Sequence, residues 1–319
     1  MYTCQMLRLL PLLVLFLLPQ TALPWGAQGH QAVGEVAKTL LTPAARSKII
    51  EILGNDDLAS ISTWLDDVRA VARNYKNHLE DTTEARAFNK QHPNNAQWHY
   101  INLPVGSPIY APDGPFSSPD DVVHAIGAAV DVLEGKSERF TKVLALRILV
   151  HLVGDVHQPL HTIAGYFDCT DPTHPKLVGD PALAVKHPHD RGGNQLFYTK
   201  TQELHHHWDA KLVNKLAPAK TSGSLTTLLQ KDCTVDLFKT PGDYHGWPAK
   251  WVSDSATEAI GAYKGLVFGV VSLKPDGKIE RIETVKPADY DAQQLPRVKL
   301  QLEKSGVHLA QLLNSVRWK

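Results

Sequence analysis

The segment His151-Leu-Val-Gly-Asp155-Val-His157-Gln-Pro159-Leu-His161 constrains this chain more than any other stretch. It continues the apolar run 143–150, which is long enough for a buried helix. His151 and Asp155 are four apart and share one helix face. Pro159 disturbs the helix and leaves His161 at the bend. Imidazoles and a carboxylate on a buried helix are costly unless something pairs with them. A divalent cation satisfies them together, because neutral imidazole nitrogen and carboxylate oxygen are ordinary zinc ligands. A single histidine in such a place is more often a hydrogen-bonded core residue. Three with an aspartate in eleven residues point to a metal. Helix geometry turns His157 away from the 151/155 face, so it is left out of the ligand set.

Outlying residues repeat the pattern. His205 and Asp209 are also four apart and share a helix face. Asp66 lies beside Trp64, and His99 lies between Trp98 and Tyr100. Alone, a histidine between aromatics is more often a core residue. His206, His207 and His308 are read as solvated or loop residues.

Composition narrows the function classes. The 319 residues carry 33 basic and 33 acidic side chains, with no Lys/Arg block. A nucleic acid substrate would therefore not be held by a broad basic face. Residues 1–24 hold Arg8, no acid and the apolar run 9–18, which is short for a bilayer span and reads as a secretion signal. A retained anchor is the alternative. Without that segment the chain has 32 basic and 33 acidic residues. Cys4 leaves with the signal. Cys169 and Cys233 remain, and an oxidising compartment predicts a disulfide between them, against two unrelated thiols.

Helical patterns follow Trp25 through Leu41, from Thr42-Pro43 to Leu53, and over 58–76. Ser118-Pro119-Asp120 starts another, ahead of the central helix. Residues 165–193 read as an active-site loop, and 196–198 as one short strand. A helix opens at Leu204, and loop with a short helix fills 217–248. A helix over 251–268 follows, residues 269–290 are polar and irregular, and 295–313 is an amphipathic closing helix. With no repeat and no linker, the expectation is a mainly α, single-domain multi-helix bundle over 25–319.

Six spaced elements now fall in one order: Trp25-Gly-x-x-Gly-His30, Trp64-x-Asp66-x-Val-Arg69, His99-Tyr-Ile, the central motif, Asp190-Arg-Gly-Gly-Asn194 and His205-x-x-Trp-Asp209. In that order the chain resembles the S1/P1-type nucleases of the zinc-dependent phospholipase C/nuclease superfamily. The resemblance covers nearly everything after residue 24, and the short loops look more like its bacterial members. It implies three zinc ions. One would take Asp66, His99, His151 and Asp155. A second would take the amine and carbonyl of Trp25 with His30 and Asp155, once cleavage frees that amine. The third would take His161, His205 and Asp209. Cleavage after Ala22 would instead leave Leu23-Pro24 in front.

The activity so implied is hydrolysis of single-stranded DNA and RNA to 5′-phosphate products, with nucleotides as further substrates through a 3′-nucleotidase reaction. The enzyme would be secreted or periplasmic, monomeric and free of a membrane anchor. Asp66 is the candidate acceptor that orients the attacking water. Arg69 is either an electrophile on the phosphoryl oxygens or a salt-bridge partner of Asp66 or Asp67. Tyr100 is the candidate stacking platform and Asn194 the candidate partner of the base edge. Where fungal relatives carry Asp, this chain has Asn102. A phosphatidylcholine-type phospholipase C is the rival within the superfamily, though those enzymes carry Glu where Asp209 stands. A non-catalytic zinc-binding protein is the rival outside it.

Overall fold

The chain assembles around the apolar run identified above. The computed structural model describes residues 25–319 except Lys76, Pro218 and Asp232, so the expected signal peptide lies outside the described residues. Helix α6 (Lys142–Val156) starts at Thr141, whose hydroxyl accepts from the Leu144 N–H at 3.2 Å. From Ile148 onward every residue of α6 is buried. A helix apolar on all sides must be enclosed. Six helices pack against it: α1 (Gly26–Thr39), α2 (Pro43–Leu53), α3 (Trp64–Ala72), α5 (Val122–Leu133), α12 (Trp247–Tyr263) and α13 (Tyr290–Ser315). Helix α4 (Thr83–Gln91) lies on α3.

Strands β1 (Leu103–Pro104) and β2 (Ile163–Ala164) pair in parallel, tying the segment after His99 to the segment after His161. Strand β3 (Tyr166–Asp168) pairs antiparallel with β4 (Lys176–Val178), ahead of the short helix α7 (Pro181–Ala184). Strand β5 (Leu196–Phe197) precedes α8 (Leu204–His206), a π-helical turn His207–Leu212 and α9 (Val213–Leu216). Helices α10 (Ser222–Lys231) and α11 (Val235–Phe238) follow. Strands β6 (Val267–Leu273) and β7 (Ile279–Val285) form a hairpin that takes β5 as a third, parallel strand. The mainly α architecture is the expected one.

Several details differ. Residues 269–290, expected to be irregular, hold most of that hairpin; its apolar side chains Val267, Val270 and Val285 face solvent, which hid the strand alternation. Helix α3 is shorter than 58–76, α4 was not expected, and 217–248 holds two helices. The expected Cys169–Cys233 disulfide is not formed, and both are free thiols. Cys169 lies against the Phe167 carbonyl, while Cys233 feels Glu303 and Lys299 of α13. His207 and His308 are buried rather than solvated. His207 meets Asp291 Oδ1 at 2.7 Å, and His308 meets His157 at 2.6 Å.

Candidate metal centre

Asp66 on α3, His99 before β1, His151 and Asp155 on α6, His161 at the bend and His205 and Asp209 on the α8–π turn are all buried. With His30 of α1, which is also buried, they fall into three groups: His30, His151 and Asp155; Asp66, His99 and His151; and His161, His205 and Asp209. Within each, one candidate ligand atom per residue lies within 4.8 Å of the others. A fourth group, Asp131, Glu134 and His245, is nearer the surface, and there Glu134 already pairs with Lys136, Tyr244 and His245.

Backbone carbonyls set the imidazoles. His151 Nδ1 lies 2.8 Å from Ser62 O, His161 Nδ1 2.6 Å from His99 O and His205 Nδ1 2.7 Å from Gly192 O. A carbonyl only accepts, so each Nδ1 donates and each Nε2 of the neutral ring is bare. The bare His161 and His205 Nε2 atoms face each other at 3.1 Å. His151 Nε2 faces His99 Nδ1 at 3.1 Å and Asp155 Oδ2 at 3.2 Å. Facing lone pairs repel unless a cation lies between them. Buried carbonyl-held imidazoles of this kind are the usual outer support of metal ligands.

The unpartnered atoms agree. Both ring nitrogens of His30, His99 Nε2, Asp66 Oδ2, Asp155 Oδ1 and Asp209 Oδ2 are buried without a hydrogen bond. Native interiors hold few such atoms, and here they gather at three points. Asp155 lies between two of the groups, with Oδ2 2.9 Å from His99 Nδ1 and Oδ1 3.3 Å from His30 Nε2. The donor set, imidazole nitrogen and carboxylate oxygen, fits zinc.

Electrostatics points the same way. Burial and the neighbouring His151 hold His30 down to about 4. Burial raises Asp66 to about 7, against the pull of His151 and Arg69. Burial works against a charged His151, yet Asp155 and Asp66 raise it to about 9. Burial lifts Asp209 well above the carboxylate range, with Gln158 opposing. Carboxylates that draw a proton onto a buried imidazole draw a metal cation to the same place.

The surrounding chain is shaped for these groups. A Cβ on Gly154 would lie 2.5 Å from His30 Nδ1, so only glycine leaves the imidazole its place against α6. Gly192 has φ 62°, and a Cβ there would meet Leu160 O at 2.0 Å; its carbonyl is the one that fixes His205. Buried Asp190 braces this turn by accepting from the Gly165 and Gly193 N–H groups and the Tyr263 hydroxyl. Gln158 Nε2 donates to Asp209 Oδ1 at 2.6 Å, and the backbone N–H of Trp25 also reaches the Asp209 carboxylate. Gln158, Asp190 and Gly154 stood inside the quoted motifs without a role. Their partners are distant in sequence, and only motif membership signalled them.

Arg69 Nη1 is 3.6 Å from Asp66 Oδ1, and its Nε has no partner. Tyr100 lines a cleft of about 270 Å³ with Gln97, Asn102, Phe116, Asp120 and Tyr166. Asn194 is not among its walls; its amide nitrogen donates to Arg191 O at 2.8 Å and leaves Oδ1 uncommitted. Trp25 is fully buried at the start of α1, its indole donating to Gly154 O at 2.9 Å.

A sequence profile of the S1/P1 nuclease family matches residues 25–317. Nuclease S1 of Aspergillus oryzae is 26% identical over 97% of this chain and 98% of its own. Nuclease P1 of Penicillium citrinum is 26% identical over 92% of this chain and 97% of its own. Endonuclease 2 of Arabidopsis thaliana is 24% identical over 92% of this chain and 90% of its own.

Proposed function

From a chain that belongs to the S1/P1 nuclease family, we propose a secreted or periplasmic, zinc-dependent phosphodiesterase. It cuts single-stranded DNA and RNA to 5′-phosphate products and acts on 3′-nucleotides. The observation that carries this reading is the gathering of unpartnered buried imidazole and carboxylate atoms at three points, each flanked by carbonyl-oriented histidines. Removal of residues 1–24 leaves 25–319 as the catalytic domain and frees the Trp25 amine beside Asp209.

One zinc ion would be held by Asp66, His99, His151 and Asp155; a second by Trp25, His30 and Asp155; a third by His161, His205 and Asp209. Bound there, zinc supplies Lewis acidity toward phosphoryl oxygen and acidifies water to near neutrality. The side chains do the rest. Asp66 Oδ2, buried and unpartnered, accepts a proton from the attacking water and orients it. Arg69 turns its uncommitted N–H toward the phosphoryl oxygens, where charge builds in the transition state. Tyr100 stacks a base at the mouth of its cleft, and Asn194 offers Oδ1 to a base edge. A single strand can bend into such a cleft and a duplex cannot, which accounts for the strand preference.

The test is incubation of the zinc-loaded chain beginning at Trp25 with a labelled single strand, its duplex and a short-chain phosphatidylcholine. Cleavage of the single strand alone, abolished by a chelator, is the expected result. Hydrolysis of the lipid with the strand intact overturns the substrate assignment and keeps the metal centre.

A further inference from the structure

Two arginines beside the metal centre have no function in the reading above. Arg73 caps the C-terminus of α3, one helical turn past Arg69. Arg191 sits at φ 59° in the turn whose next carbonyl fixes His205. The two come from segments more than a hundred residues apart that both reach the metal centre beside Tyr100: the Arg191 turn through the Gly192 carbonyl on His205, and α3 through Asp66, which lies 3.6 Å from Arg69 and 3.9 Å from His99. Partial burial holds the Arg73 guanidinium below its ordinary pKa, as do the charges of Arg69 and Arg191, while Tyr75 and Tyr100 oppose. Arg191 likewise depresses His189, after burial.

Neither Arg73 nor Arg191 makes an ion pair or side-chain hydrogen bond among the described residues. Both residues are exposed. Neither is a wall of the Tyr100 cleft, but the Arg191 N–H donates to His189 Nδ1 at 3.2 Å, and that ring lies 5.2 Å from the cleft wall Tyr166. A helix C-terminus accounts for one cation at Arg73. It does not account for a second brought to it from another segment. Like charges gathered without a counter-ion break the local rule that opposite charges pair, and such breaks occur where a ligand completes the charge balance. Guanidinium forks match phosphate oxygens two at a time.

We propose that Arg73 and Arg191 form a clamp for a phosphate of the strand that flanks the scissile one. The clamp rests on the nuclease reading and deepens it. Asp66 and the histidines take the reacting phosphate, Arg69 bridges toward it, and the two outer arginines hold the next phosphate along the backbone. The protein would thereby favour oligonucleotides over mononucleotides without a broad basic face, in keeping with its balanced charge.

The test measures binding to the zinc-loaded chain by fluorescence anisotropy. The probe is a labelled phosphorothioate tetrathymidylate, which resists cleavage and keeps every charge. Companion probes carry one uncharged methylphosphonate linkage at each position in turn. The variant is Arg73→Gln with Arg191→Asn, since asparagine tolerates the left-handed backbone at 191; Lys274→Gln on the distant hairpin is the control. The double variant should bind roughly tenfold more weakly, and its slope of log affinity against log salt should fall by about 0.7. One methylphosphonate position should cost the parent chain a similar factor and cost the variant little more, and that position places the phosphate. Unchanged affinity in the variant overturns the clamp. So does a methylphosphonate loss that adds in full to the variant's loss at every linkage. If this pattern holds while the cleavable strand stays intact, the clamp stands and the hydrolytic reading falls.

Discussion

Two of the buried histidine–histidine contacts among the described residues look alike at first and differ in their surroundings. His161 and His205 meet Nε2 to Nε2 at 3.1 Å, each with its Nδ1 already donating to a carbonyl. His157 and His308 meet at 2.6 Å through Nε2 and Nδ1, with the other His308 nitrogen against the Thr240 hydroxyl and the Phe238 carbonyl. The second pair has its outer nitrogens committed in the same way, His157 Nδ1 lying 2.8 Å from Val153 O, so a hydrogen bond between its facing nitrogens needs one ring to be protonated; His308 stacks on Trp251 at 4.9 Å, and neither ring has a carboxylate ion-pair partner among the described residues. Protons cannot satisfy the first while both rings stay neutral, and Asp209 Oδ2 is 3.4 Å from His205. One pair has a carboxylate beside it and completes a group that could hold a metal ion; the other has none. What separates them is the neighbouring carboxylate, not how deeply the rings are buried or where their outer nitrogens are committed.

Substitutions can break or sharpen that contrast. Asp155→Asn removes the carboxylate between two of the groups and should lower strand cleavage by about 10³-fold or more, with bound zinc falling in the same preparation when measured by elemental analysis. Cleavage near the parent level would remove Asp155 from the centre. Gln158→Ala leaves Asp209 Oδ1 without its donor. It should weaken zinc binding by about 10–100-fold, read from chelator competition, and an unchanged competition curve would make Gln158 a packing residue only.

Chelation should also lower thermal stability. At zinc a hundredfold above its dissociation constant, the bound ion adds about 2.7 kcal/mol per site. His161→Ala should shrink that zinc-dependent shift in melting temperature, while His308→Leu should leave it intact. The smallest effect belongs to His308→Leu itself. It should cost about 1–3 kcal/mol of stability by stranding His157 Nε2, with cleavage per bound zinc unchanged. Loss of zinc in His308→Leu would erase the distinction between the two pairs.

The sequence showed which His and Asp residues come together in pairs, because i,i+4 spacing on a helix is a local property. His151/Asp155 and His205/Asp209 needed no knowledge of the fold. The Asp190–Asn194 turn and the mainly α architecture were also legible. Long-range pairings were not. His207 is buried through Asp291, and His308 through His157, 151 residues away. Nothing local marks either. The hairpin β6–β7 escaped because Val267, Val270 and Val285 are exposed while Val271, Ile279 and Ile282 are buried, so apolar residues do not mark one face. The cysteine inference failed because an even count says nothing about placement, and Cys169 and Cys233 lie against different parts of the molecule. The arginine pair escaped for the same reason as His308: convergence of distant segments has no periodicity.

The most direct test of the account is the zinc content of the chain beginning at Trp25, counted by native mass spectrometry after dialysis against metal-free buffer. The three buried groups predict three zinc ions per chain, falling to two in His161→Ala. A chain that retains one zinc or none, yet cleaves single strands at full rate, would contradict it.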